Sequence, residues 1–228
     1  MADFHVYIVE SPNSPDLYHK RFEGEALTKT LSLSQISSSH RLAAKKEAFV
    51  AALTVGLKEY FEDISTKNLS PLIHISAHGN EEGLELTSGE KITWDELKDL
   101  LKPLNKFLKG GLLVCMSSCN GSSGCRMAMK DDDFPFLVIV GSDAKPTWAE
   151  TNIGFATLYH LLSRGSNLKD AVHAMRVASD HKNFTLIYSS DARKAYIEVT
   201  SHTPTSLATL QSSFPTDNLP KLQKAIGN

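Results

Sequence analysis

A histidine and a cysteine each close a short apolar run, and each stands directly before a turn. The runs are Pro71-Leu-Ile-His-Ile-Ser-Ala-His78-Gly79 and Gly111-Leu-Leu-Val-Cys-Met-Ser-Ser-Cys119-Asn-Gly121. A thiolate is a strong nucleophile, and an imidazole is the side chain best suited to move its proton near neutral pH. Together, the two groups are the minimum equipment for acyl transfer through a thioester. Small neighbours (Ser117, Ser118, Asn120, Gly121) would let a substrate backbone come close to Cys119. A helix starting just beyond Cys119 would favour its thiolate and lower its pKa. The backbone N–H groups of Gly79 and Cys119 are the candidate oxyanion hole.

The same residue types could instead bind zinc. His74, His78, Cys115, Cys119 and Cys125 are the possible ligands. Structural zinc sites place paired ligands roughly two to four residues apart on turns. Here Cys115 and Cys119 straddle one apolar run and His74 lies inside another. The spacing therefore predicts no metal and no other cofactor. Cys115 and His74 read as buried structural residues, and Cys125 as packing or surface.

For His78 and Cys119 to meet, their runs must be neighbouring parallel strands. Short apolar runs bounded by turn residues read as buried strands, and α/β sheets bind ligands at the carboxyl ends of their strands. Phe4 to Glu10, Phe134 to Val140 and Phe184 to Tyr188 also read as strands, and Ser34 to Arg41 as a polar edge strand. A short hairpin is expected around Gly83 to Leu86, and Ala195 to Val199 is expected to pair with Phe184 to Tyr188. Helical spacing marks Glu23 to Leu33, Lys45 to Phe61 and the segment around Phe155 to Leu162, which Gly165 ends. Thr93-Trp-Asp-Glu96 has capping-box spacing and opens a helix that Pro103 should kink or divide. Asn167 caps another. Strands alternating with helices predict a three-layer α/β/α fold with a mostly parallel central sheet of about six strands.

Composition excludes other classes. The 228 residues suit one large α/β domain, read as residues 1–200, with 201–228 as a loosely held tail rich in Ser, Thr and Pro. The formal net charge of −2, with no basic run, gives no reason to expect a nucleic acid partner. No stretch has the length and apolarity of a membrane span, and the start lacks a signal pattern. Only three cysteines are present, clustered between 115 and 125, which fits a reducing compartment rather than a disulfide framework. These features predict a cytoplasmic protein that does not engage membranes.

The His-Ile-Ser-Ala-His78-Gly79 segment, the capped helix and Leu-Leu-Val-Cys-Met-Ser-Ser-Cys119-Asn-Gly together resemble the caspase-like cysteine peptidases of clan CD, above all the bacterial CHAT-domain branch. Val6 to Pro12, Glu23 to Leu27, Val138 to Ser142 and Phe155 to Ala178 resemble other parts of that fold, so the likeness runs over residues 4 to 200. It implies a cysteine endopeptidase with Cys119 as nucleophile and His78 as general acid and base, acting on a protein or peptide substrate. It further suggests activation of a partner by limited cleavage, with a gasdermin-like pore former in bacterial defence as one candidate, and a separate activator. The chain departs from caspases proper in having Ser-Ser-Cys119-Asn-Gly. Its spacing of 41 residues from His78 to Cys119 is also shorter than the roughly 50 of caspases.

In this clan the pocket for the residue before the scissile bond is built by loops at strand ends beside the cysteine strand. Here those loops offer Asp143 and Glu10. If either lines the pocket, it should select Arg or Lys; the alternative is that Asp143 caps a turn and Glu10 holds neighbouring backbone. Two other functions compete. An α/β amidotransferase or hydrolase would place its histidine on a later strand, but His160, His173 and His181 fall in or near helices. A catalytically degenerate peptide-binding or scaffold domain is the non-enzymatic alternative.

Overall fold

A computed structural model describes residues 3–63 and 69–201. Strand β1 (Phe4–Ser11) leads through a short helix α1 (Ser14–Tyr18) to α2 (Glu23–Leu33) and strand β2 (Ser37–Leu42). Helices α3 (Lys46–Ala51) and α4 (Leu57–Glu62) precede β3 (Ser70–Gly79), a small hairpin of β4 (Gly83–Glu85) and β5 (Lys91–Thr93), and α5 (Trp94–Phe107). Strand β6 (Leu113–Ser117) is followed by a 3₁₀ helix (Gly121–Ala128), β7 (Val138–Ser142), α6 (Trp148–Ser163) and α7 (Leu168–Ala178). Strand β8 (Phe184–Tyr188) and α8 (Ser189–Ser201) complete the described chain.

The central sheet has the order β2-β1-β3-β6-β7-β8. All its pairings are parallel except that of β7 with β8. Strands β6 and β7 are buried along their whole length, as expected of a parallel sheet covered on both faces. Alternate residues face opposite layers. Tyr7, Val9, Ile73, Ile75, Val114 and Met116 join one core with Phe49, Leu53, Leu97 and Leu101. Val6, Ile8, Cys115 and Val140 join the other with Leu27, Leu31, Phe155 and Met175. Each fully buried Leu or Phe stabilises the fold by about 1.5–3 kcal/mol. The domain is thus three-layer α/β/α.

Four elements differ from the pattern expected of them. The helix expected over Lys45 to Phe61 contains a π-helical turn at Ala52–Gly56. Tyr7 Oη donates to the Ala52 carbonyl at 2.7 Å, a side-chain bond inserted into the helical ladder at the place where the turn widens. Helix α5 runs unbroken through Pro103. Asp99, whose carbonyl loses its i+4 donor there, is exposed, so water can satisfy it. The strand expected from Phe134 begins only at Val138. Ala195 to Val199 is helical, because Ala192 and Ala195, three residues apart, bury one face of α8.

The other expected elements are present. The Thr93 capping box forms both of its bonds, and the Asn167 side chain accepts from the Asp170 N–H. Gly165, just beyond α6, has φ of 85°, a conformation that suits glycine. Residues 202–228 of the expected tail lie outside the described residues. Among the described residues no helix is long and apolar enough to cross a membrane.

Candidate active site

Strands β3 and β6 pair from Ile73–Val114 to Ser76–Ser117 and then separate. His78 and Cys119 each lie two residues beyond that last pair, so both occupy the fork at the carboxyl edge of the sheet. Their flanking backbones touch. A Cβ built on Gly79 would lie 2.9 Å from the Cys119 carbonyl oxygen and 3.2 Å from the Ser118 Cβ. The two motifs, far apart in sequence, therefore share one surface, and only a residue without a side chain fits at position 79.

The hairpin orients the Gly79 amide. Asn80 N–H donates to the Gly83 carbonyl at 3.0 Å, so by antiparallel alternation the Gly79–Leu84 pair is the one without hydrogen bonds. Gly79 N–H therefore points away from β4. Thr87, just past β4, donates its N–H to Ser11 Oγ at the end of β1, which puts the hairpin on the β1 side of β3. The Gly79 amide then faces the β6 side, where Cys119 lies.

Cys119 sits on a tight turn. Asn120 takes a left-handed conformation, with φ of 52° and ψ of 29°, which Asn tolerates better than most residues. Its N–H donates to the Ala144 carbonyl at 2.9 Å. The thiol is half-buried, and burial pushes its pKa above the ordinary cysteine value, with the Lys145 ammonium and the Cys119 N–H opposing the rise. The expected lowering by a helix start is thus corrected. The following helix is of the 3₁₀ kind and begins at Gly121, and desolvation of the half-buried sulfur wins. Removing the opposing charge should raise the thiol further. In Lys145→Met, alkylation of Cys119 is expected to reach its half-maximal rate at higher pH than in the wild type, and the difference should shrink in high salt. A pH series of iodoacetamide labelling measures this.

His78 is held by residues that the sequence did not single out. Its side chain is 38% exposed, and Nε2 faces Asp16 Oδ2 at 3.9 Å. Trp148 packs edge-on to the ring at a centroid distance of 5.6 Å and donates its Nε1–H to the same Asp16 oxygen at 2.9 Å. Arg21 Nε pairs with the other oxygen at 2.9 Å. Asp16 is buried and fixed from three sides. Its signal in the sequence was Asn13-Ser14-Pro15-Asp16, a cap followed by proline in the first turn. The Asn13 side chain accepts from Asp16 N–H at 2.6 Å. The resulting helix is only five residues long, too short to leave a periodic apolar pattern.

The two acidic pocket candidates have different fates. The loop bearing Asp143 adjoins the cysteine turn, since Ala144 accepts from Asn120 and Lys145 acts on the thiol. That loop is braced from behind, because Ser142 Oγ accepts from Ala144 N–H at 3.0 Å and bonds His181 Nε2 at 2.8 Å. Glu10 is not brought to the cysteine. Its buried carboxylate pairs with His40 Nε2 at 2.7 Å on β2, under Gly24 of α2.

Beneath the fork lies a buried polar cluster. Glu23 accepts from Ser76 Oγ at 2.5 Å and from Ser117 Oγ at 2.8 Å, with His74 Nε2 at 3.8 Å. His74 Nδ1 in turn bonds Tyr159 Oη at 2.9 Å. Burial alone would raise the Glu23 carboxyl, but the His74 ring and the two hydroxyls outweigh it and hold the group below its ordinary value. Cys115 and Cys125 pack on opposite faces of the sheet, so they cannot share an ion, and burial pushes both thiols up to about 12. Among the described residues no group of three His, Cys, Asp or Glu could hold a metal ion.

No protein-family model matches the chain, and no curated protein matches it. Similar solved structures include gingipain R, an Arg-specific cysteine proteinase, with a TM-score of 0.48 and 12% identity over 79% of this chain and 42% of that one. Another is the complex of the RgpB pro- and mature domains of Porphyromonas gingivalis, with a TM-score of 0.48 and 12% identity over 82% of this chain and 47% of that one. The chain thus spans less than half the length of these solved chains.

Proposed function

We propose that this chain is a caspase-like cysteine peptidase with a Cys119–His78 dyad. The observation that carries this reading is the backbone contact of Gly79 with Ser118 and Cys119 at the fork of β3 and β6. It supports a site in which the Cys119 thiol, the His78 imidazole and the Gly79 amide would act on one substrate. In the proposed reaction His78 takes the thiol proton and the Cys119 sulfur attacks the scissile carbonyl carbon. The Gly79 and Cys119 N–H groups donate to the oxyanion. The imidazolium then protonates the leaving amine, which departs and leaves a thioester. His78 next removes a proton from water, the hydroxide attacks the thioester, and the thiol is regenerated as the acid product leaves.

With Nε2 turned toward Asp16, Nδ1 is the nitrogen that exchanges these protons. The Asp16 carboxylate orients the His78 ring, directly and through Trp148, for its role as base. The raised thiol makes that assistance important, because an unassisted Cys119 would be mostly protonated at neutral pH.

The finer reading is a CHAT-type endopeptidase that activates a partner by limited cleavage, with a gasdermin-like pore former as one candidate substrate. It is supported by the motif resemblance around His78 and Cys119. For the residue before the scissile bond we propose Arg or Lys, selected by Asp143. The support is the position of the 143–145 loop beside Asn120. A carboxylate there would pair with the guanidinium or ammonium group of such a side chain through charge-assisted hydrogen bonds.

The test is a positional-scanning library of fluorogenic peptides, assayed with wild type and Asp143→Ala. Cleavage with a basic preference, reduced at least about tenfold in the variant, is expected, since about 1.4 kcal/mol of lost pairing is a factor of ten. No cleavage of any library member would count against the peptidase. A preference for acidic or apolar residues that the variant leaves unchanged would remove the role of Asp143.

A further inference from the structure

We propose that Glu23 is a positioning residue for this site, a buried clamp that fixes how far apart the His78 and Cys119 strands fork. The inference rests on the Cys–His reading above and goes beyond it. Ser76 and Ser117 are the last register pair of β3 and β6, and each stands two residues before a member of the dyad. One carboxylate accepts from both hydroxyls, one oxygen to each strand. The strands are therefore tied at the point where the ladder ends and the reactive residues begin.

The same residue links the clamp to the groups around His78. Asn152 of α6 donates its Nδ2–H to the Glu23 carbonyl at 3.4 Å. Helix α6 begins at Trp148, which packs on His78 and donates to Asp16. Glu23 thus touches β3, β6 and the helix that supports the imidazole.

Stability alone does not explain a carboxylate there. Burying an ion is costly, and a well-packed apolar side chain would hold the same layers at least as well. Glu23 lies wholly within the protein, among His74, Ser76 and Ser117, with Tyr159 one bond further away. A directional bridge to two strands does what an apolar contact cannot, since hydrogen bonds fix distance and angle.

The test uses the full chain and two variants, Glu23→Leu and Ser117→Ala. The first replaces the clamp by an apolar side chain. The second removes one of its donors and is mild enough to fold if the first does not. The readouts are the pH profile of Cys119 alkylation by iodoacetamide, the division of peptide cleavage between kcat and KM, and the thermal midpoint. His78→Ala serves as the reference for an uncoupled thiol.

In Glu23→Leu the alkylation profile is expected to converge on that of His78→Ala, with kcat falling at least about tenfold while KM stays within about twofold, as a small misplacement of reacting groups requires. Ser117→Ala should show the same pattern more weakly. A His78-dependent wild-type profile that every folded variant leaves unchanged would overturn this role alone. So would a loss of activity that follows only the folded fraction. A wild-type profile identical to that of His78→Ala would overturn the dyad and the clamp together.

Discussion

Replacing Cys119 with alanine is expected to abolish peptide cleavage, and replacing His78 to lower kcat by at least about a thousandfold, because the proposed nucleophile and base would act as one unit. Neither change should unfold the domain. Cys119 is half-buried on a turn and His78 is over a third exposed, so little packing is lost. The control is the other pair of thiols. Cys115→Ala and Cys125→Ala remove fully buried groups and are expected to lower stability by about 1 kcal/mol each while keeping most of the activity. Purified variants assayed on one fluorogenic peptide, with thermal midpoints measured in parallel, test both halves. Wild-type cleavage by Cys119→Ala would refute the assignment.

The second large effect is expected at Gly79. A methyl group there would meet the Cys119 carbonyl oxygen at 2.9 Å, Ser118 Cβ at 3.2 Å and the Gly83 carbonyl oxygen at 3.3 Å. Two of these contacts are backbone atoms, which cannot rotate away. Gly79→Ala must therefore push the cysteine turn off the end of β3 and move its own amide from the proposed oxyanion position. A fall in kcat of about a hundredfold is expected, the size seen when one oxyanion donor is lost or reacting groups shift by about 1 Å. The thermal midpoint should fall only modestly, since the contact lies at the rim of the core. Steady-state kinetics and a melting curve measure the two. Unchanged kcat would show that the Gly79–Cys119 contact has no part in the reaction.

Much of this was legible along the chain because the relevant signals are local. The apolar runs ending at His78 and Cys119 became strand β3 and the strand–turn of β6, and helix α2 spans Glu23 to Leu33 as its pattern indicated. The Thr93 and Asn167 caps formed because cap geometry depends on residues three apart. Where the reading failed, the deciding contact came from elsewhere. Tyr7 on β1 is bonded at the turn where the Lys45–Phe61 helix widens, and the last predicted strand became α8 because Ala192 and Tyr196 found a core to cover. Glu10 shows the same limit. Its place at a strand end suggested a pocket, but the side chain is tied to His40 across β1 and β2.

The sequence by itself determined the layered α/β architecture and which cysteine and histidine end their strands, because hydrophobic period and turn chemistry are properties of neighbouring residues. Only the tertiary structure decided what surrounds them. Asp16 and Trp148 at His78, Lys145 at Cys119 and Glu23 beneath the fork come from separate elements, and nothing in local spacing connects them. The thiol's raised pKa belongs to that level too. It is set by how much water the folded chain removes from around the sulfur, a quantity that no short segment carries.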